Sequence, residues 1–356
     1  MKVLYCYRYG ILGGVCTQLI NRLGLIKGRD QFEAHLLFAK DHGIGHTLRE
    51  YPHLYFEPNT QEVHRLASTG GFDAGIVIDT PEYFKALDDV PNLPVIGEIH
   101  TTTEKGLAYL ENMNFRVNGF IVPSEHSRLL LREKYDIGVR ERVYVIPNSI
   151  NPDLFPCFPS KRKHPRPIFA WIGKLDDHKN WRGFLSIATT IREQGLDAEF
   201  WIVGGITAPD SVEADLLDLS FRQGLGPHMR WFPRIEYSTM CNLYSAVRDS
   251  GGAVVVTSVN ESFGMSVLEA LISGCPVVAS RAGAIPELAP HKSYLRLYDY
   301  GNYEGAANLA LEMTSSHLGE KLRSELAKDR AWFTCRFSSR TVTSRYLRAL
   351  ADLVCP

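Results

Sequence analysis

Two glutamates, Glu261 and Glu269, stand eight residues apart across a short polar loop and the start of a helical pattern. The stretch begins Val259-Asn-Glu-Ser-Phe-Gly-Met-Ser-Val-Leu-Glu and runs on to Gly274 and Pro276. An apolar strand ends near Thr257, a helix starts around Gly264 to Met265, and Gly274 suits a left-handed C-terminal cap. Between the carboxylates lie the backbone amides of a helix N-terminus. Together with about half a positive charge from the helix dipole, these amides suit two linked phosphates. Gly264 permits close approach. Glu269 is then placed to reach a ribose diol, and Glu261 to reach sugar hydroxyls beyond the phosphates. The competing reading makes one of the carboxylates, or Ser262, a helix cap.

The elements that position these residues alternate along nearly the whole chain. Short apolar runs and longer helical patterns follow one another, which predicts an α/β protein with parallel sheets. In the first half, strands are expected at Lys2–Tyr7, His35–Ala39, Gly75–Asp79, Val95–His100, Gly119–Pro123 and Val143–Pro147. A glycine-containing loop, Tyr9 to Gly14, follows the first. The segment Asn151–Pro167 holds five prolines and the triplet Lys161-Arg162-Lys163, and reads as a linker. A second series follows: Pro167–Ile172, Glu199–Val203, Met229–Phe232, Ala253–Thr257 and Pro276–Ser280. Residues from Arg340 to Leu353 have helical spacing. The expected organisation is an N-terminal domain over 1–150, a linker over 151–166, a C-terminal domain over 167–335, and a terminal helix over 336–356 packing back on the first domain. In doubly wound sheets ligands sit beyond the carboxyl ends of the strands, so a cleft between the domains is the expected site.

The ordered motifs resemble glycosyltransferase family 4, retaining enzymes of the GT-B fold. Glu261 and Glu269 stand in its E-x7-E arrangement. Val145-Ile-Pro-Asn-Ser-Ile-Asn-Pro-Asp-Leu-Phe resembles the segment before its second domain, and Gly173-Lys-Leu-Asp-Asp-His-Lys-Asn its phosphate segment. Trp201-Ile-Val-Gly-Gly and Ala282-Gly-Ala-Ile-Pro-Glu-Leu resemble further segments in the same order. The resemblance implies two Rossmann-like domains facing across a cleft, the first on the acceptor side and the second on the donor side. It places Glu261 on the transferred sugar and Glu269 on the ribose. Ser262, Phe263, Gly264, Met265, Ser266 and Val267 would bring amides to sugar and diphosphate, and Lys174 and Lys179 would be the diphosphate cations. Here the family's usual arginine is Lys174, which keeps charge but loses bidentate geometry. The resemblance also draws in His100, read at the end of a strand against the donor sugar, and Gly14 at the first strand-to-helix turn beside Gly13. Arg234 falls where relatives hold the base, and either stacks there or is simply exposed. Thr101 is a weaker companion of His100, Glu98 reads as a structural polar group behind the site, His126 and Arg128 read as solvated, Ser124 reads as a helix N-cap, and Tyr237 and Tyr244 read as packing.

The implied reaction moves a hexose-type sugar from a UDP- or GDP-sugar to an acceptor hydroxyl. There is no cofactor, because the nucleotide sugar is a substrate. No Asp-x-Asp motif of the metal-binding kind occurs, so metal independence is expected. Alternatives are a phosphorylase or sugar-nucleotide epimerase on a similar scaffold, or a non-catalytic binding subunit.

Bulk composition bounds the partners. A net charge of -1 across 356 residues argues against nucleic acid. The first 150 residues balance 16 basic against 18 acidic side chains, which favours a soluble small molecule or glycan as acceptor. Seven scattered cysteines fit a reducing cytosol. No apolar run reaches the roughly eighteen residues of a membrane span, and the amino terminus lacks a signal-peptide core, so membrane contact is expected to be peripheral at most.

Overall fold

The computed structural model describes residues 1–11, 13–26, 32–138 and 141–355. The chain divides into two compact units, Met1–Ile150 with Phe337–Pro356, and Asn151–Arg336.

The first unit is built on a seven-stranded sheet, parallel at every pairing: β1 (Lys2–Gly10), β2 (Glu33–Asp41), β3 (Leu54–Phe56), β4 (Ala74–Ile78), β5 (Val95–Glu98), β6 (Gly119–Val122) and β7 (Arg142–Val145). Their order is β3-β2-β1-β4-β5-β6-β7. Strands buried on both faces need no apolar–polar alternation, which is why β4 reads Ala-Gly-Ile-Val-Ile and is buried throughout. The helix Ser339–Val354 belongs to this unit. Its Val342, Tyr346, Ala349, Leu350 and Leu353 share one core with Val3, Tyr5, Leu36 and Ile76. The helix is tied on by Ile150, whose backbone exchanges hydrogen bonds with Phe337 and Ser339.

The second unit has six strands, again all parallel: β8 (Ile168–Ile172), β9 (Glu199–Val203), β10 (Met229–Phe232), β11 (Ala253–Val256), β12 (Val277–Ser280) and β13 (Leu295–Tyr298). They lie in the order β10-β9-β8-β11-β12-β13. Both sheets therefore change winding direction next to their first strand, at β1/β4 and β8/β11. Loops leaving those strands open a crevice at the carboxyl edge.

The α/β class with two doubly wound parallel sheets stands. Sequence reading missed β3 and β13, both at sheet edges, where a few residues suffice to pair on one side. It also ended β1 three residues early: Arg8, Tyr9 and Gly10 continue the strand, and Leu12 of the expected loop lies outside the described residues. Among the described residues no helix is long and apolar enough to cross a membrane.

Candidate functional site

The switch point of the second sheet gathers the residues of two loops. The first leaves β8 at Gly173. Its neighbour Gly204, at φ 119°, packs so tightly on Gly173 that any Cβ would strike the Gly173 carbonyl oxygen. Glycine is required there, and it lets Gly173 donate to Val203 at 3.0 Å while Trp231 Nε1 donates to Gly204 O at 2.8 Å. The loop ends at Asn180, a left-handed residue at φ 53° whose Oδ1 accepts from the Gly183 amide and so caps the helix Trp181–Glu193. Asn180 Nδ2 donates to Tyr303 Oη at 2.8 Å and to the Thr257 carbonyl at 3.2 Å. Thr257 Oγ1 in turn donates to Asn180 O at 2.7 Å and accepts from Trp171 Nε1 at 2.9 Å. These bonds stitch the ends of β8 and β11 together and fix where Lys179 begins.

The second loop leaves β11 and carries Glu261, which is 8% exposed. Lys179 Nζ lies 2.6 Å from Glu261 Oε1, and Ser258 Oγ donates to the same oxygen at 2.7 Å. The backbone of Glu261 is equally constrained: its carbonyl accepts from the Ala284 amide at 2.9 Å. A Cβ on Gly283, at φ 53°, would strike that carbonyl. Glu261 thus has its oxygen, its backbone and its cation partner all set by local structure.

Two residues further on, Phe263 is buried, and Gly264 follows as N-cap at φ 95°, the left-handed region that favours glycine. The helix is Met265–Ile272, ending in left-handed Gly274. As a glycine, the N-cap residue offers no side chain for a cap hydrogen bond. Ser262 is therefore not the cap, because Gly264 occupies that position. Neither glutamate occupies the N-cap, and the amide-bearing end is the positive end of the helix dipole.

Glu269 projects from this helix into an apolar interior and is 7% exposed. Burial raises its carboxyl pKa from 4.5 to about 7, against the opposing effect of the Tyr244 and Tyr237 hydroxyls. Tyr244 Oη donates to Oε2 at 2.8 Å. The two glutamates, one ion-paired and one meeting only phenols, are held in contrasting environments. Tyr244 is more than packing. It orients Glu269, a role that only its place on the helix Met240–Asp249 reveals.

The remaining expected donor residues are more loosely held. Lys174 is exposed, and its side chain pairs with no carboxylate among the described residues. Ser266 and Met265 are half-buried and Val267 is buried. Arg234 is exposed and pairs with Glu236 at 2.8 Å.

In the first unit, Gly14 opens the helix Gly14–Ile26, and a Cβ there would meet nothing within 4 Å. Packing therefore does not demand glycine at Gly14, nor at Gly13. His100 is not the last residue of a strand. β5 stops at Glu98, and His100 lies in the following turn because Asp79 accepts from its amide at 3.1 Å and from the Thr101 amide at 3.3 Å. Its ring Nε2 is 2.8 Å from Glu98 Oε1. Ser124 caps the helix Glu125–Tyr135, accepting from the Ser127 amide.

Sequence reading overlooked Ser258, Thr257, Asn180 and Arg22. Ser258 and Thr257 look like ordinary strand-end residues, and Asn180 lay in the phosphate segment without a role. The signal for Arg22 was a long cation at helical spacing from Gln18 on an otherwise apolar helix face. Among the described residues one cluster has metal-ligand spacing, Glu33, His35 and His53. Its two imidazoles stack at 4.0 Å with planes 11° apart, so their lone pairs do not converge on one ion.

Comparison with known proteins agrees with this geometry. Residues 166–315 match the family described as glycosyl transferases group 1. The chain is similar to D-inositol 3-phosphate glycosyltransferase of Jonesia denitrificans, with 28% identity over 185 residues, covering 51% of this chain and 43% of that protein. It is also similar to 2-deoxystreptamine glucosyltransferase of Streptomyces kanamyceticus, with 24% identity over 42% of this chain and 40% of that one. The chain thus spans less than half the length of these relatives. Over 99% of its own length it superposes on Anabaena Alr3699/HepE in complex with UDP and glucose (TM-score 0.83, 18% identity, all of that chain). It superposes likewise on sucrose-phosphate synthase from Thermosynechococcus elongatus (TM-score 0.78, 15% identity, 99% of each chain). Residues 166–315 in the second unit thus carry a glycosyl transferases group 1 domain, and the chain has the GT-B fold.

Proposed function

We propose that this chain transfers a hexose-type sugar from a nucleoside diphosphate donor, a UDP- or GDP-sugar, to an acceptor hydroxyl, with retention at the anomeric carbon and without a metal. The observation that carries the reading is the Lys179–Glu261–Ser258 cluster at the β8/β11 switch point, next to the N-terminus of the helix Met265–Ile272. The amides and Lys179 suit the diphosphate, and Glu261 suits the sugar beyond it. Glu269, held by Tyr244, suits the ribose diol.

In the proposed step the bond from the anomeric carbon to the diphosphate oxygen breaks, and the bond to the acceptor oxygen forms on the same face. The acceptor proton passes to the departing phosphate oxygen. Negative charge grows on the diphosphate as it leaves, where the Lys179 ammonium and the helix amides stabilise it. Glu261 orients the sugar and does not attack it. Relatives named for inositol phosphate and aminocyclitol acceptors support a small hydroxylated acceptor. The UDP in the HepE complex supports a uridine donor.

The test is a thermal-shift screen of UDP, GDP, ADP and their sugars, followed by NMR of the product anomer. Stabilisation by one nucleoside diphosphate and its sugar is expected, since ligand binding raises stability by mass action. Inverted product, or no stabilisation by any of them, would refute the proposal.

A further inference from the structure

The contacts behind His100 go deeper than a surface histidine needs. Its Nε2 meets Glu98, which is 1% exposed at the end of β5. Arg22, 2% exposed on the helix Gly14–Ile26, grips Glu98 with two hydrogen bonds of 2.9 and 2.7 Å. The Tyr346 ring covers the guanidinium at 3.9 Å, and its hydroxyl lies 3.3 Å from Glu98 Oε2. Asp79 holds the backbone of His100 from the other side. A buried ion pair is a poor device for stability, because desolvating two charges cancels most of their attraction. A functional reason is called for.

That reason lies in which proton His100 carries. Burial alone would push the Glu98 carboxyl up, but Arg22 and the His100 ring outweigh it and hold the carboxyl below the usual range. An ionised carboxylate can only accept, so the proton between Glu98 and His100 sits on Nε2. In the neutral ring Nδ1 is then an acceptor. It makes no hydrogen bond among the described residues, and it is not one of the buried polar atoms left unpaired.

We propose that the buried Arg22–Glu98 pair is a positioning device that fixes His100 as the Nε2–H tautomer, so that Nδ1 accepts a hydrogen bond from a hydroxyl of a bound sugar. The proposal rests on the reading of the chain as a sugar transferase. Glu98 and Arg22 act through His100 and touch no substrate themselves.

The experiment uses the full chain labelled with ¹⁵N-histidine, with UDP-glucose as the substrate probe. The wild-type spectrum places the His100 proton on Nε2. Glu98→Gln, whose amide can donate to the ring, moves it to Nδ1. Should Glu98→Gln fold poorly, the paired change Arg22→Met with Glu98→Leu removes both charges together, a replacement that proteins often tolerate, and frees the ring from one tautomer. His100→Ala and each Glu98 variant are expected to lower kcat for UDP release roughly tenfold to a hundredfold. Adding Glu98→Gln to His100→Ala should cost less than about twofold more, because coupled residues are not additive. A proton on Nδ1 in the wild type, or a further tenfold loss in the His100→Ala background, overturns the proposal. The expected tautomer with turnover that ignores His100→Ala overturns the sugar contact while leaving the donor site of the second unit standing. A wild-type chain that neither binds nor cleaves UDP-glucose removes that donor reading, and the proposal falls with it.

Discussion

Replacing Glu269 by glutamine should stabilise the second unit, and should do so more at alkaline than at acid pH. Glu269 is buried, with Tyr244 Oη as its hydrogen-bond donor, and burial moves its carboxyl pKa from 4.5 to about 7. Below 4.5 the carboxyl is protonated in both the folded and unfolded chains and costs nothing. Between 4.5 and about 7 only the unfolded chain ionises, so folding loses ground steadily as pH rises. Above about 7 both forms ionise and the penalty levels off. Each tenfold change in proton affinity is worth about 1.4 kcal/mol, so the full penalty is roughly 3 kcal/mol, and less than about 1 kcal/mol of it is present at pH 5. Glutamine keeps an acceptor for Tyr244 and cannot ionise. The variant should therefore gain about 2 kcal/mol more at pH 8 than at pH 5, a few degrees in the transition of a unit this size. Urea unfolding of both chains at the two pH values, followed by tryptophan fluorescence, reads the difference. An equal effect at both, or a variant less stable at pH 8, would refute the assignment of a buried, unpaired carboxyl. The same variant should bind UDP more weakly if the ribose reading is right, so stability and affinity should move in opposite directions.

Other consequences follow from the same site. Lys179→Met leaves Glu261 without its cation and the diphosphate without its ammonium; kcat for UDP release from UDP-glucose should fall about a hundredfold or more, and retained turnover would remove Lys179 from the chemistry. Gly283→Ala forces a side chain into the Glu261 carbonyl, so both thermal stability and turnover should drop, whereas alanine at Gly14, where nothing stands in the way, should leave stability within about 0.5 kcal/mol of wild type. Excess EDTA should not alter turnover; a loss restored by Mg²⁺ or Mn²⁺ would show that a metal shares the work assigned to Lys179 and the helix amides.

Much of this was open to a reader of the chain alone. Doubly buried strands such as Ala253–Val256 announce a parallel sheet by their unbroken apolar runs, and Gly274 with Pro276 marks the end of the helix that carries Glu269. The nearness of Lys179 to Glu261 was legible only as a resemblance. Eighty-two residues separate them, and no periodicity relates a loop after β8 to a loop after β11. Their meeting depends on those two strands lying side by side in the sheet.

The sequence by itself determined the local matters: element type, helix ends, and which side chains are chemically able to bind phosphate and sugar. Local propensity and hydrophobic spacing act over a few residues and need no fold to be expressed. Only the tertiary structure decided that Glu261 is ion-paired while Glu269 is buried among phenols, that β5 stops before His100, and that Arg22 lies beneath it. Those outcomes depend on desolvation and on contacts between residues distant along the chain, and such energies come into being only when the sheets assemble.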